Sequence, residues 1–479
     1  MCEPNALNAS QEHIPPIWYS MASLSVTKLA LALIALGIAY LWRLNKVMSQ
    51  TPPEAIEASP FRWADSEIKT TYDRIKKNPI DWSKTLPPKL NRRYLVTGGS
   101  GGVGGQLVLH LLQRGEAPES IRIVDFRRVE RTDMKSGSVT KVDFAQADIT
   151  SPEATVAAFD KPWPPSVAKL PLTVFHVAAM IVPHERTMAT YGRIKRVNID
   201  GTKNVMAAAK AAGADIFIAT ASASIGYRPA GYWGNPLRRW PRNYFQFIDE
   251  SDFEEPLAPR SQYFANYAHT KAIAERMICQ ANSDSFRTGT IRPANGIYGS
   301  SEGDQVVGLV LRSQGTQSWM PNIMQNFVSS GHISLGHLLF EAALLREKMP
   351  KCAGRPFVIT DDGAPPQFGD VYRLCEVAAE TPIKVTYLPP GMFFVISHIV
   401  EWFVAASRIP GLKFLQPKGD IALLQPGVFH ASLNYLATDA AAQRSVEDGG
   451  IGLKHAHNTL EGMCQQLVEW NAEHGSSKA

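Results

Sequence analysis

Cysteine is scarce in this 479-residue chain, and the five present form no C-x-x-C pair and no close cluster with histidines. That excludes a readable disulfide framework or zinc site and makes a reducing compartment the default. An excess of one charge is also missing. Forty-nine basic against 44 acidic side chains leave +5, too little and too scattered for a nucleic-acid binder, so no DNA or RNA partner is expected. Long hydrophobic runs are confined to one stretch near the start, which excludes a polytopic membrane protein. Hydrophobic residues at 45% and charged residues at 19% belong to a folded, water-facing chain and not to a disordered one. At this length two units are expected, because α/β folds with insertions often use about 250 residues or more.

The single apolar stretch runs over residues 24–42, and its uncharged part, 29–42, is short for a bilayer, which takes about 20 residues unless tilt and snorkelling of Lys28 extend it. Arg43 and Lys46 follow it while Glu3 and Glu12 precede it, so the positive-inside bias places the downstream chain in the cytosol. We therefore expect a tail over 1–23, a membrane anchor over 24–44, and a proline-punctuated linker or wrapping segment over 45–90. The alternatives are a cleaved signal peptide, although no small-x-small site closes the run, and an ordinary buried helix.

Residues 93–115 have the order strand, glycine-dense turn, amphipathic helix. Gly98, Gly101 and Gly104 are spaced for a dinucleotide pyrophosphate: one for the tight turn, one for close approach of backbone N–H groups, one for packing helix on strand. Asp125 ends the next apolar strand, 21 positions after Gly104, where a carboxylate bonds the adenosine ribose hydroxyls and repels a 2′-phosphate. NAD is thus favoured, with NADP still open because Arg127 and Arg128 follow; a bare turn-capping role for Asp125 is the bland alternative. Strands and helices then alternate, predicting a doubly wound parallel (Rossmann) sheet with ligands at the carboxyl ends of its strands. Asp148 at one such end is placed to meet the adenine amine. His176 reads as a satisfied core histidine.

Tyr267 and Lys271 are four apart in a segment of helical periodicity and so share a face. An ammonium beside a phenol favours the phenolate and brings its pKa toward the working range. The lysine can also bond a ribose. Ser222, ending the strand before, is placed to hold a substrate oxygen, with Ser224 as its competitor. A Y-x-x-x-K match is common by chance, and the glycine turn and serine-bearing strand give it its weight.

Taken together, TGGSGGVG at 97–104, Asp125, ADI at 147–149, HVAA at 176–179, VNIDGTKNV at 197–205, ASAS at 221–224, YAHTK at 267–271 and IRPANGIYG at 291–299 resemble the extended short-chain dehydrogenase/reductase family. Within it the likeness is to 3β-hydroxysteroid dehydrogenases, most of all the decarboxylating sterol-4α-carboxylate 3-dehydrogenases, supported by segments 355–375, 391–407 and 428–453. The resemblance implies an NAD-binding Rossmann unit over 91–299 carrying the catalytic residues, and a smaller substrate region over 300–470 interleaved with it. It implies Tyr267 as general acid/base, Lys271 as its partner and ribose ligand, Ser222 as substrate ligand, Asn198 as a structural brace and Pro293 beside the nicotinamide, with no metal. The implied reaction is oxidation of a sterol or triterpenoid 3β-hydroxyl, with loss of carbon dioxide from a 4-carboxy substrate, at the endoplasmic reticulum membrane. A homodimer is compatible with it.

Two stretches depart from the family pattern, the aromatic 231–247 and the region 300–330, and both are expected to alter the substrate wall. A coupled isomerase or a terpenoid secondary-metabolite dehydrogenase shares every catalytic residue named. A nucleotide-sugar epimerase or dehydratase shares the scaffold, and a non-catalytic dinucleotide-binding protein would keep the glycines but lose Tyr267 or Lys271. Residues 391–407, broken by His398 and Glu401, are expected either at the bilayer surface or as a helix of the smaller unit.

Overall fold

The computed structural model describes residues 17–235, 237–299, 303–346 and 350–475. The charges ahead of the anchor, Glu3 and Glu12, and the start of the 300–330 departure lie outside the described residues. Seven strands form one sheet: β1 (Arg93–Thr97), β2 (Ile121–Asp125), β3 (Asp143–Gln146), β4 (Leu172–His176), β5 (Ala214–Thr220), β6 (Arg287–Pro293) and β7 (Pro356–Ile359). Their order is β3-β2-β1-β4-β5-β6-β7 and every pairing is parallel. The chain builds outward from β1 and then returns to its other side, so the direction of winding reverses between β1 and β4. That is where a doubly wound sheet opens a crevice for ligand.

The central strands β1, β4 and β5 are mostly apolar because both faces of the sheet are covered there. Alternate residues of β1 go to opposite sides. Tyr94 and Val96 join Ile123, Phe175, Ile218 and Ile291 under helices Gly102–Gln113 and Ser330–Arg346, while Leu95 joins Val124, Val174 and Phe217 under helix Thr202–Ala211. The last strand of the main sheet, β7, comes from the chain beyond residue 303 and pairs with β6 from Thr290↔Pro356 to Pro293↔Ile359.

Residues 45–90 are folded onto the body. Helix Asp65–Lys77 buries Ile68 and Ile75 and packs on the carboxyl-terminal helix Thr459–His474. Arg62 bonds Asp370 at 2.8 Å and Arg74 bonds Glu461 at 2.7 Å. The prolines interrupt the helix pattern in the sequence, and the partners that order this arm lie some 300 residues away, so local pattern could only suggest a wrapping segment. The first helix spans Ile17–Met48; its side chains from Val26 to Trp42 are mostly exposed and apolar, and it sinks into the body from Leu44 on.

Burial of imidazoles sets an acid limit on this fold. Desolvation holds His110, His176 and His430 down to about 3 and His337 and His457 to about 4. An unfolded histidine titrates near 6.5, so below that pH the unfolded chain binds protons that the folded chain refuses. Stability is therefore present above about 6.5 and falls toward 4, each histidine contributing about 1.4 kcal/mol per pH unit. Glu250, raised to about 6 by burial, acts the other way over a narrower window. Calorimetry from pH 7 to 4.5 should show a steadily falling Tm with uptake of several protons on unfolding; a flat Tm would contradict this account.

Candidate active site

β1 ends in Thr97, and the chain turns over Gly98 at φ +73, a conformation side chains rarely adopt. A Cβ on Gly98 would lie 2.7 Å from the Ala178 nitrogen, so the turn rests on the backbone that follows β4. A Cβ on Gly104 would lie 2.2 Å from the Gly98 carbonyl oxygen. The third glycine thus lets the helix pack on the turn itself, where the spacing alone suggested packing on the strand. Around Gly101 the only near atom is the Gly98 oxygen at 3.3 Å, which leaves its outer side open. A tight turn, an open glycine and the amino end of helix Gly102–Gln113 make a cradle that a side chain would fill, and this fits a dinucleotide pyrophosphate.

Asp125 ends β2 beside this cradle and is 6% exposed. Its carboxylate accepts the Ser100 N–H at 3.2 Å and the Arg127 N–H at 3.1 Å, which fixes its position against the turn. Asp148 follows β3, is exposed, and accepts the Thr150 N–H at 2.9 Å. Pro293 is buried as the last residue of β6.

At the carboxyl end of β5, Ser222 opens the short helical turn Ala223–Ile225 and donates to Ser224 Oγ at 2.9 Å. Its hydroxyl lies beside the phenol of Tyr267 and lowers that group's pKa against the effect of burial. Ser224 is buried behind it. Tyr267 stands in the first turn of helix Asn266–Gln280, with Lys271 one turn further on. The Lys271 ammonium donates to the Thr220 carbonyl oxygen at 2.7 Å, the last residue of β5. Three side chains from two elements thus meet at one strand end.

The electrostatics differ from the expectation for the phenol. Burial pushes Tyr267 up to about 12, with the Ser222 bond opposing. The sequence pattern suggested a downward shift from Lys271, but that ammonium is engaged by the Thr220 carbonyl and is itself pushed down to about 8 by burial. Spacing on a helix reports a shared face and says nothing of what a long side chain bonds to. The helix is held from behind by Arg292 of β6, fully buried, whose guanidinium grips Glu275 at 2.6 and 2.8 Å and Asp252 at 2.5 Å.

His176 is a structural histidine: its ring nitrogens meet Thr97 Oγ1 at 2.7 Å and Thr202 Oγ1 at 2.9 Å. Asn198 sits in the π-helical turn Arg196–Gly201, accepts the Met180 N–H at 2.8 Å and donates to Thr270 Oγ1 at 3.1 Å, bracing that turn against the Tyr267 helix.

The sequence matches the 3-beta hydroxysteroid dehydrogenase/isomerase family over residues 95–375, more than half of the chain. The chain belongs to that family. It is a nicotinamide-dependent oxidoreductase acting on a CH–OH group. Among curated relatives it is 26% identical over 397 residues to short-chain dehydrogenase/reductase family 42E member 1 of Mus musculus, covering 80% of this chain and 88% of the relative. It is 29% identical over 277 residues to the decarboxylating sterol-4-alpha-carboxylate 3-dehydrogenase of Saccharomyces cerevisiae, covering 56% and 70%. Its fold is similar to that of the UDP-glucose-4-epimerase of Stenotrophomonas maltophila with bound NAD, at TM-score 0.51 and 16% identity over 80% of this chain and 99% of that one.

Two parts of this dehydrogenase escaped the sequence pattern. Arg131, 6% exposed, donates to the carbonyls of Gly101 and Gly102 at 3.3 and 2.6 Å and pairs with Asp133; it braces the cradle from below. Its only signal is a lone arginine in a loop. The aromatic insertion 231–247 was expected in the substrate wall, and its Tyr232 and Tyr244 are buried: Tyr232 donates to the Phe429 carbonyl at 3.0 Å and Tyr244 to the Met48 carbonyl at 3.2 Å. The insertion therefore fastens the end of the first helix to the segment around Phe429. Among the described residues, His332, Asp361 and His457 come close enough to share an ion, but their ring nitrogens are taken. His332 bonds Asp361 and the Ala456 N–H, while His457 bonds Ser329 and the Asn458 carbonyl.

Proposed function

We propose that this chain oxidises the 3β-hydroxyl of a membrane-borne sterol or triterpenoid, preferring NAD, and that its substrate carries a 4-carboxyl group lost as carbon dioxide. The observation that carries this is the Ser222 hydroxyl beside the Tyr267 phenol, with Lys271 one turn on, near the glycine cradle of a 3-beta hydroxysteroid dehydrogenase/isomerase chain. The yeast relative named for a decarboxylating reaction supports the carboxylated substrate.

The Gly98–Gly104 turn holds the dinucleotide pyrophosphate, Asp125 its adenosine ribose and Lys271 its second ribose. Bound NAD supplies the hydride acceptor and a positive ring charge. Ser222 holds the substrate oxygen, and Tyr267 Oη takes the hydroxyl proton. At about 12 that phenol is protonated in the resting chain, so the positive ring charge of a bound NAD would have to bring it down before Tyr267 Oη could accept the substrate proton. The product of a 4-carboxy substrate is a β-keto acid. Its carbon–carbon bond breaks with the electron pair entering the C3 carbonyl as an enolate, whose oxygen Ser222 and Tyr267 stabilise.

The first helix anchors the enzyme in the endoplasmic reticulum membrane with its catalytic body in the cytosol, which suits a water-insoluble substrate. The deciding assay offers the full-length protein NAD and paired 3β-hydroxy sterols with and without a 4-carboxylate. Ketone lighter by carbon dioxide, from the carboxylated partner, is expected. Ketone without that loss reduces the enzyme to a simple dehydrogenase, and no ketone from any sterol sinks the proposal. For the cofactor, Asp125→Ser should lower the NAD-to-NADP ratio of kcat/KM about tenfold or more through the lost ribose bonds and the relieved repulsion; an unchanged ratio removes Asp125 from that role.

A further inference from the structure

The chain that follows β4 forms one wall of the crevice and carries basic groups that the chemistry above leaves unused. It starts against the glycine turn, where Ala178 packs on Gly98. It ends against the catalytic helix, where the Glu185 carbonyl accepts the Asn266 N–H at 2.8 Å and the Thr187 carbonyl accepts the Asn266 side-chain amide at 2.8 Å. Asn266 is the residue before Tyr267. A second wall is the short helix Pro426–Ala431. A Cβ on its Gly427 would lie 2.3 Å from the Pro183 carbonyl oxygen, so the two walls touch. At its other end Ala431 packs on the same apolar cluster as Tyr267, and its carbonyl accepts the amide of Asn295, just past Pro293, at 3.5 Å.

Most cations around this opening are already engaged. Lys271 donates to the Thr220 carbonyl at 2.7 Å, Arg260 to the Arg186 carbonyl at 2.7 Å, Arg193 to Glu185 at 2.5 Å and Arg228 to the Ile225 carbonyl at 2.8 Å. Arg186 is only half engaged. Its Nε and Nη2 meet Glu401 of helix Pro390–Ala406 at 2.7 and 2.9 Å, and its Nη1 is bonded by none of the described residues, on a side chain 32% exposed. His430, in the last turn of Pro426–Ala431, is 6% exposed, with Nδ1 buried and unpartnered. Its ring packs on Tyr232 and Phe394 with centres 5.4 and 6.1 Å apart. Burial, with Arg186 and His398 nearby, holds it down to about 3, so the imidazole is neutral and Arg186 stands within electrostatic reach of it. Each of the two can offer an N–H to an anion, and burial makes the unpaired imidazole nitrogen costly to leave as it is.

We propose that Arg186 and His430 form the seat of the substrate's 4-carboxylate, Arg186 through the guanidinium edge that Glu401 leaves free and His430 through its buried Nδ1, and that the two set a preference for an acidic over a neutral sterol. This rests on the reading that the substrate carries that carboxylate. A sterol whose C3 oxygen lies between Ser222 and Tyr267 has its acid on the adjoining carbon, and so at the opening that these two walls enclose. The seat binds the acid and does not itself break the bond. The carboxylate must give up its charge as carbon dioxide leaves, which a guanidinium already shared with Glu401 opposes less than an unshared one would. Glu401 is thus the competitor that keeps the grip weak.

The test uses the full-length enzyme with NAD and the same paired 3β-hydroxy sterols, and reads the ratio of kcat/KM for the carboxylated sterol to that for the neutral one, alongside NADH affinity and Tm. Arg186→Gln should lower this ratio about 10- to 100-fold, as loss of a hydrogen bond to a charged group does. His430→Phe keeps a ring against Tyr232 and Phe394 and should lower it about tenfold. Glu401→Gln keeps the guanidinium and removes its competitor, so it should raise the ratio about threefold or more. A purely structural ion pair predicts otherwise, since breaking it from either side would lower kcat/KM for the two sterols alike. A ratio unchanged in Arg186→Gln or His430→Phe, or not raised in Glu401→Gln, overturns the seat, while a parent that still prefers the acid keeps the carboxylated substrate standing. A parent that shows no such preference and releases no carbon dioxide fails the reading itself, and the seat with it. Should Arg186→Gln not fold, Glu401→Gln and His430→Phe decide by the same ratio.

Discussion

Tyr267→Phe should lower turnover by about 10³-fold, in the range a positioned general acid/base supplies, while leaving NADH binding and Tm near those of the parent. The ring is partly buried and its loss of one hydroxyl opens no cavity; what disappears is the phenolic oxygen beside Ser222. Ser222→Ala should cost less, about 10- to 100-fold, because water can replace one donor to the substrate oxygen. Combined with Tyr267→Phe it should cost little more, since two groups serving one proton transfer act as a unit. Steady-state kinetics with a fixed alcohol substrate and a fluorescence titration of NADH decide the matter. Turnover above a tenth of the parent's in Tyr267→Phe would place the base elsewhere. A fall in NADH affinity equal to the fall in kcat would make Tyr267 a binding residue and nothing more.

The cradle, the sheet and the Tyr267 helix were legible because their signals are local. β1 is a buried apolar run with glycines at fixed offsets behind it, and Tyr267, Lys271, Ala274 and Ile278 repeat at helical spacing. Where the sequence misled, the cause lay in partners distant along the chain. The upward shift of Tyr267 comes from its burial in the assembled fold, while Lys271 bonds Thr220, 51 positions earlier, and no periodicity encodes either. Arg131 braces the glycines from 29 positions away. The aromatic insertion was visible as an insertion, but that Tyr244 reaches back 196 positions to Met48 is a property of the assembled fold. The same holds for the arm over 45–90, whose prolines hid a helix stabilised mainly by packing on the far end of the chain.

The glycine cradle can be broken in two ways that separate its functions. In Gly104→Ala the added methyl would sit 2.2 Å from the Gly98 oxygen, 2.7 Å from its carbonyl carbon and 2.9 Å from Gly99 Cα. All three are backbone atoms of a turn already pinned by the Gly98 N–H to Val124 bond and by the Gly101 N–H to Gly98 bond, so no side chain can swing aside. The turn must open, its N–H groups lose their convergence on the pyrophosphate, and each such bond to a charged group is worth about 1.5–3 kcal/mol. Losing two of them weakens NADH binding by about 10²-fold or more, and the strained turn lowers Tm as well. Gly101→Ala meets only one atom at 3.3 Å, at an ordinary negative φ of −87, so its Tm should stay near the parent's. Its methyl instead points into the open side of the turn, where the pyrophosphate needs the backbone bare, and NADH affinity should fall about as far. Binding lost with stability in the one, and binding lost without it in the other, is the signature of a phosphate cradle. Parent-like NADH affinity in both variants would mean that the dinucleotide binds somewhere else.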